Sequence, residues 1–233
     1  MNEINEQTDD LLIGNLKILQ KRGSFRYGTD AVVLSDYAAK YIKKGSRVLD
    51  IGTGTGILPL LLSAKTKAEH FTGLEIQEDM AELAGRSIRM NEESGALKPG
   101  RIEIRCGDIK NARALFPSRS FDAIVTNPPY KRAGAGMMNG SPSLDIARHE
   151  ILCTLSDIAG SAAYLLKSYG DFIMVNRPER LADAIEVLRA NRLEPKEIQF
   201  VYSDIKGKPV LFLLRAVLFG GSNLVIEQGI EVK

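Results

Sequence analysis

Val48-Leu49-Asp50-Ile51-Gly52-Thr53-Gly54-Thr55-Gly56 decides the fold. An apolar run of strand type reaches a carboxylate and breaks into alternating glycines. A second apolar segment, Ile57–Leu62, follows at once. Glycine lets backbone approach a ligand with no Cβ in the way. The dinucleotide fingerprint GxGxxG seats a pyrophosphate on a helix N-terminus. Here the pattern is GxGxG, and Asp50 stands just before it. A carboxylate at that point repels a phosphate. It suits a cationic or hydrogen-bond-donating group, such as the amino group of an amino acid. Taken alone, the pattern fits a plain tight turn equally well.

From Arg47 onward, short apolar runs alternate with amphipathic segments, the signature of a parallel sheet with crossover helices. Strands are predicted at Arg47–Ile51, His70–Ile76, Ile102–Arg105, Phe121–Thr126, Gly170–Val175, Ile198–Tyr202 and Val210–Leu218. Met80, Leu83, Ala84 and Ile88 share one helix face. So do Ile151, Leu155, Ile158 and Ala162, and again Leu181, Ala184, Ile185 and Leu188. Pro178 suits a first helical turn. The short link Ser203–Pro209 makes the last two strands an antiparallel pair. The class is α/β, with a seven-stranded, mostly parallel sheet. Leu11–Arg26 reads as a β-hairpin. Asp30–Lys43 reads as a helix with Thr29 or Asp30 as N-cap. Lys131–Ser143, rich in Gly and Ser, reads as a mobile loop. The expected organisation is a hairpin and helix over residues 1–45, packed on a ligand-binding domain over residues 46–233.

Composition excludes several classes. The chain has 233 residues, 44% hydrophobic and 26% charged, enough for a sizeable core. Its 31 basic and 29 acidic residues rule out a polybasic chromatin-type binder. A local basic face for nucleic acid is still possible. Two cysteines and two histidines, with no CxxC or HExxH spacing, argue against a metal site. So few cysteines suit a reducing cytoplasm. Acidic residues in the first ten positions do not suit a signal peptide. No apolar run approaches the ~20 residues that span a bilayer.

Two more carboxylates fall in register with Asp50. Glu75 ends the second strand, 25 residues on. It could accept hydrogen bonds from ribose hydroxyls. Gly107-Asp108 follows the third strand; Asp108 could accept from an adenine amine, with Ile109 packed on the ring. One such residue could be a solvated strand end. Three at the carboxyl ends of successive strands mark the edge where α/β folds bind ligands. Together they fit S-adenosylmethionine, which carries an amino acid, a ribose and an adenine.

Asn127-Pro128-Pro129-Tyr130 follows the fourth strand at the same edge. Two prolines fix φ near −65° and remove two donors. They also push Asn127 out of the helical region. A stiff turn results, offering the Asn127 side-chain carbonyl and the Pro128 carbonyl as acceptors beside the flat face of Tyr130. A planar exocyclic amine is a poor nucleophile. Two acceptors on its N–H groups would steer its lone pair toward a methyl donor while Tyr130 stacks on the ring. Positioning and electrostatics would carry the catalysis, with no general base.

LDIGTGTG, LEI, GDI and NPPY together resemble the class I S-adenosylmethionine-dependent methyltransferases that act on amines, over roughly residues 27–218. The resemblance implies a Rossmann-like fold whose last strand is antiparallel. It implies Asp50, Gly52, Gly54 and Gly56 around the methionine part, Glu75 and Ile76 at the ribose, and Asp108 and Ile109 at the adenine. It puts Asn127, Pro128 and Tyr130 at the target amine.

Members of this group methylate adenine N6, guanine N2 in rRNA, or glutamine N5 in proteins. The glutamine enzymes carry a helical N-terminal domain for which 46 residues are too few. Phe25–Leu34 (FRYGTDAVVL) and Ala147-Arg148-His149-Glu150 resemble the bacterial enzymes that methylate N6 of the adenine beside the anticodon of a valine tRNA. That likeness implies Tyr27 and Thr29 against the cofactor pocket, and Arg148 with His149 near the substrate. An RNA partner fits the local charge. Gly14–Lys44 carries a net +5, including Lys21 and Arg22, and Lys131 and Arg132 follow NPPY. On one face these cations would bracket the active-site mouth and contact phosphates.

Overall fold

A computed structural model describes residues 6–21, 28–128 and 153–232. The chain divides at Asp108/Ile109 into two compact units. In the first, β1 (Glu6–Asp10) and β2 (Lys17–Lys21) form an antiparallel hairpin. Then come α1 (Thr29–Ala39), β3 (Arg47–Ile51), α2 (Ile57–Lys65), β4 (His70–Glu75), α3 (Glu78–Glu93) and β5 (Ile102–Cys106). The strands β3, β4 and β5 are parallel neighbours, joined by helical crossovers. The hairpin starts earlier than the apolar pattern suggested, because Asp10 to Leu16 forms the turn. It lies along α3: the Lys17 N–H donates to Asn91 Oδ1 at 2.8 Å and the Leu19 N–H to Ser87 Oγ at 3.0 Å.

The cap of α1 differs from expectation. Gly28 is the N-cap residue, no side chain caps the helix, and the Asp30 carboxylate accepts from the adjacent Ala31 N–H. The helix also stops at Ala39. Apolar α2 is buried through its first seven residues. In α3 the predicted face is confirmed at Leu83, Ala84 and Ile88, all buried, whereas Met80 is half-buried.

The second unit holds α4 (Ala112–Leu115), β6 (Phe121–Thr126), α5 (Leu155–Leu165), β7 (Leu166–Asn176), α6 (Leu181–Ala190), β8 (Leu193–Tyr202), β9 (Leu211–Leu218) and β10 (Val225–Glu231). Thr154 and Asp157 close a capping box on α5. Pro178 opens a 3-10 turn just ahead of α6. Strand order is β6-β7-β9-β8-β10. β9 is antiparallel to both β7 and β8, as the short link requires. β10 is an addition to the expected count: among the described residues, β3 to β10 make eight strands besides the hairpin, in place of seven. It pairs parallel with β8. Most of its residues are exposed, and Gln228-Gly229 interrupts it, so its sequence carries no buried-strand pattern. Among the described residues no helix is long and apolar enough to cross a membrane.

Candidate cofactor and methyl-transfer site

The parallel register of the first unit sets the carboxylates in a staggered row. Asp50 is level with Gly73, two residues before Glu75. Glu75 is level with Cys106, two before Asp108. The Gly107 N–H donates to the Glu75 carbonyl at 2.8 Å, which carries Asp108 to the same strand end.

The glycine turn is pinned from below. The N–H groups of Gly52 and Thr53 both donate to the Leu74 carbonyl, at 2.9 and 3.0 Å. Gly52 and Gly54 sit at φ +75° and +55°, where a side chain is strained. A Cβ on either would meet nothing within 4 Å. Conformation demands these glycines, and the space beside them is open. Gly56, at φ +84°, is the N-cap residue of α2, whose first turn has no side-chain cap and no acidic residue. Its free N–H groups favour an anion.

Glu75 is 1% exposed. Its Oε2 accepts from the Gly54 N–H at 2.9 Å and its Oε1 from the Gln77 N–H at 3.0 Å. The carboxylate is locked in place, and each oxygen keeps a free lone pair. Asp50 is equally buried, at 2% exposed, but both its oxygens lack a hydrogen-bond partner. Burial pushes its carboxyl up to about 7. The neighbouring Thr53 hydroxyl opposes the rise, and the Glu75 charge adds to it. Thr53 Oγ1 is itself buried without a hydrogen bond, so it reaches Asp50 only as a dipole. A buried carboxylate left unpaired is costly. A cationic ligand group is the natural partner.

One residue at this site escaped sequence reasoning. Gly73, inside β4, faces Thr53: a Cβ there would lie 2.7 Å from Thr53 Oγ1 and 2.9 Å from Ile104 Cδ1. Its absent side chain makes room for the threonine of the glycine turn. A glycine inside a strand was the available signal.

The other expected residues divide into three groups. Ile76 is half-buried and Thr29 exposed at the start of α1. In the second unit Ile109 is buried, and at the end of β6 Asn127 is half-buried and Pro128 buried. Tyr27, Tyr130, Arg22, Lys131, Arg132, Arg148, His149 and the loop Lys131–Ser143 lie outside the described residues. Of the basic residues, Lys21 is paired, and the placement of Lys40, Lys43 and Lys44 needs correction. Lys21 donates to Asp79 in an ion pair, so its charge is compensated locally. Lys40, Lys43 and Lys44 follow α1 and lead into β3, at the amino ends of the strands, opposite the end that carries Asp50 and Glu75. They cannot bracket the glycine turn.

A methyltransferase domain model matches residues 48–131. A tRNA1(Val) (adenine(37)-N6)-methyltransferase of Porphyromonas gingivalis is 31% identical over 180 residues, covering 76% of this chain and 68% of its own. The Tolumonas auensis protein of the same name is 33% identical over 156 residues, covering 67% and 61%. The chain thus spans less than two thirds of that relative's length. The Flavobacterium johnsoniae counterpart is 27% identical and covers 92% and 86%. Among solved structures, an Agrobacterium tumefaciens protein described as a predicted O-methyltransferase aligns with a TM-score of 0.69 at 22% identity, covering 87% and 86%. The T. thermophilus 16S rRNA N2 G1207 methyltransferase, in complex with AdoMet and guanosine, gives 0.61 at 21%, covering 91% of this chain and 50% of its own. Both likenesses carry the fold.

Proposed function

The chain belongs to the tRNA1(Val) (adenine(37)-N6)-methyltransferase family, and on that footing we propose that it methylates the exocyclic N6 amine of an adenine in RNA, the target being a tRNA nucleotide beside the anticodon. S-adenosylmethionine supplies an electrophilic methyl group on a sulfonium. The residues present suit that cofactor. The observation that carries this reading is the buried, partnerless Asp50 carboxylate beside an open glycine turn. Asp50 holds the cofactor's amino group. The free N–H groups at the start of α2 hold its carboxylate. Glu75, fixed by the Gly54 and Gln77 N–H groups, accepts from the ribose hydroxyls. Asp108 and Ile109 take the adenine. Tyr27 and Thr29 are assigned to the same pocket from the family likeness.

Asn127 and Pro128 receive the N–H groups of the target amine, and Tyr130 stacks on the target base. Their task would be alignment: they would turn the amine lone pair toward the methyl group, so that the N–C bond could form as the S–C bond breaks to leave a neutral thioether, with the displaced amine proton passing to solvent. Lys131, Arg132, Arg148 and His149 are assigned to the RNA backbone. The hairpin and helix of residues 1–45 serve as an addition to the catalytic domain of residues 46–233. A cytoplasmic enzyme is the setting that suits a tRNA substrate.

The test is transfer of labelled methyl groups to separated tRNA, rRNA, DNA and protein, followed by mass spectrometry of the nucleosides. N6-methyladenosine in tRNA is the expected product. Label confined to protein, or found as N2-methylguanosine in rRNA, overturns the assignment.

A further inference from the structure

The second unit carries an unusual edge at the amino ends of its parallel strands. Four residues lie at that edge: Arg119 before β6, Tyr169 near the start of β7, Arg192 before β8 and Phe219 after β9. All four are non-glycine residues in the left-handed region, with φ of 58°, 62°, 61° and 59°. Each such residue costs roughly 1–2 kcal/mol in backbone energy that glycine would avoid. Arg192 follows the C-cap of α6, where glycine is the usual choice. Retained strain of this kind points to side chains that are used.

Arg119, Arg192 and Phe219 form one cluster, and Tyr169 is exposed on the bulge of the neighbouring strand. Pairing of Leu193 with Leu218 sets Arg192 opposite Phe219, and the Phe219 N–H donates to the Arg192 carbonyl at 2.8 Å. Tyr169 lies two residues before Asp171, whose partner on β9 is Val217, and Phe219 lies two residues after Val217. The guanidinium groups of Arg119 and Arg192 lie 5.2 and 5.9 Å from the Phe219 ring centre. Between Phe121/Leu166 and Ala123/Asp171 the β6–β7 register slips, and the extra β7 residues bulge outward. Gly170 makes the bulge possible, since a Cβ would lie 2.9 Å from the Lys167 carbonyl and 3.0 Å from the Asp122 carbonyl. The bulge leaves Tyr169 72% exposed and Phe219 is 38% exposed. Arg119 donates once to the Leu166 carbonyl, at 3.0 Å. Arg192 makes no ion pair among the described residues.

We propose that this edge is a second RNA-contact surface, on which Tyr169 stacks an unpaired base while Arg119 and Arg192, seated over the Phe219 ring, engage phosphates. Aromatic faces interleaved with guanidinium groups are the recognition chemistry of single-stranded nucleic acid. Arg119 and Asn127 flank opposite ends of β6, on the order of 20 Å apart. The surface therefore meets RNA away from the target base. This inference rests on the RNA reading above.

The experiment compares the full chain with a Tyr169→Ala/Arg192→Glu variant, using fluorescence anisotropy over a salt series. The probes are an unmodified tRNA transcript, a short stem-loop with the target adenine, poly(U) and poly-glutamate. In the variant, tRNA affinity should fall roughly tenfold or more. Its salt slope should shrink by about one for each phosphate that is no longer neutralised. Stem-loop methylation should stay within about twofold, because the target end of β6 is untouched. A Tyr169→Phe/Arg192→Lys variant keeps ring and charge and should retain the affinity. Equal tRNA binding by wild type and the alanine/glutamate variant overturns the proposal. If wild type ignores tRNA, the assigned substrate is overturned separately. Poly(U) then judges the edge: binding abolished in the variant supports it, and no binding overturns it. Variant-sensitive capture of poly-glutamate in place of RNA also overturns it, in favour of an acidic protein partner.

Discussion

Replacing Asp50 with asparagine should stabilise the ligand-free protein while weakening its hold on the cofactor. The carboxyl is pushed from an ordinary 3.8 up to about 7. That difference amounts to a ceiling of roughly 4 kcal/mol against the ionised form. The sign is the reverse of a paired carboxylate. Between about pH 4 and pH 7 the folded chain keeps a proton that the unfolded chain has released. Stability therefore falls as pH rises through that window and levels off above 7. Asparagine carries no charge but leaves a buried amide short of partners, at roughly 1–3 kcal/mol. The net gain at pH 8 is about 1–3 kcal/mol, or roughly 2–4 °C in melting temperature for each kcal/mol in a chain of this size. At pH 4.5 the gain should vanish or reverse, because both side chains are then neutral. Calorimetric titration supplies the other half. Wild-type affinity for S-adenosylmethionine should rise from pH 5.5 to 7, by up to about tenfold per pH unit, and then flatten. The Asp50→Asn variant should bind weakly with no such slope. Melting temperatures in the same order at both pH values, together with equal affinities, would refute the reasoning.

Gly54→Ala adds a Cβ that meets nothing in the protein, so it should cost only the left-handed strain of roughly 1–2 kcal/mol in melts. It should weaken cofactor binding far more, and unchanged binding would place the cofactor elsewhere. Gly73→Ala should lose about 1–3 kcal/mol by overpacking against Thr53 and Ile104, seen in denaturant midpoints. A companion Thr53→Ser change, which removes one of the clashing atoms, should recover part of that loss. Asn127→Ala should bind cofactor normally in calorimetry and lose most turnover in single-turnover assays. Arg86 grips Glu6 through two hydrogen bonds of 2.7 and 2.8 Å and holds that carboxyl below its usual range. Both side chains are partly exposed, so Arg86→Ala should cost no more than about 1 kcal/mol. Hydrogen exchange should nevertheless quicken in β1. In wild type this contribution is present at neutral pH and fades as pH falls below the ordinary glutamate value.

The parallel strands were legible because burial on both faces leaves near-continuous apolar runs. Phe121–Thr126 and Arg47–Ile51 match residue for residue. Ends were less legible: β7 begins four residues before Gly170 because its first residues form the bulge that carries Tyr169. β10 left no trace, since an exposed edge strand has no buried face to impose a pattern. The candidate site was legible as residue types at strand ends. Its partners were not. Only the fold shows that Glu75 braces Gly54, that Lys21 is held by Asp79, and that Lys43 and Lys44 sit at the wrong strand end.

Asp50 and Glu75 are both carboxylates at strand ends, buried to nearly the same degree, yet their surroundings give them opposite tasks. Glu75 receives two backbone N–H groups and so stays a fixed acceptor around which the glycine turn is built. Asp50 receives none. Its raised carboxyl is a standing cost to the empty protein, and a ligand ammonium removes that cost on binding. A neutral analogue of the cofactor, without the amino group, cannot remove it. Such an analogue should lose affinity at pH 7.5 but much less at pH 5.5, where Asp50 is already protonated. Equal losses at the two pH values would mean that the amino group is held by something other than Asp50.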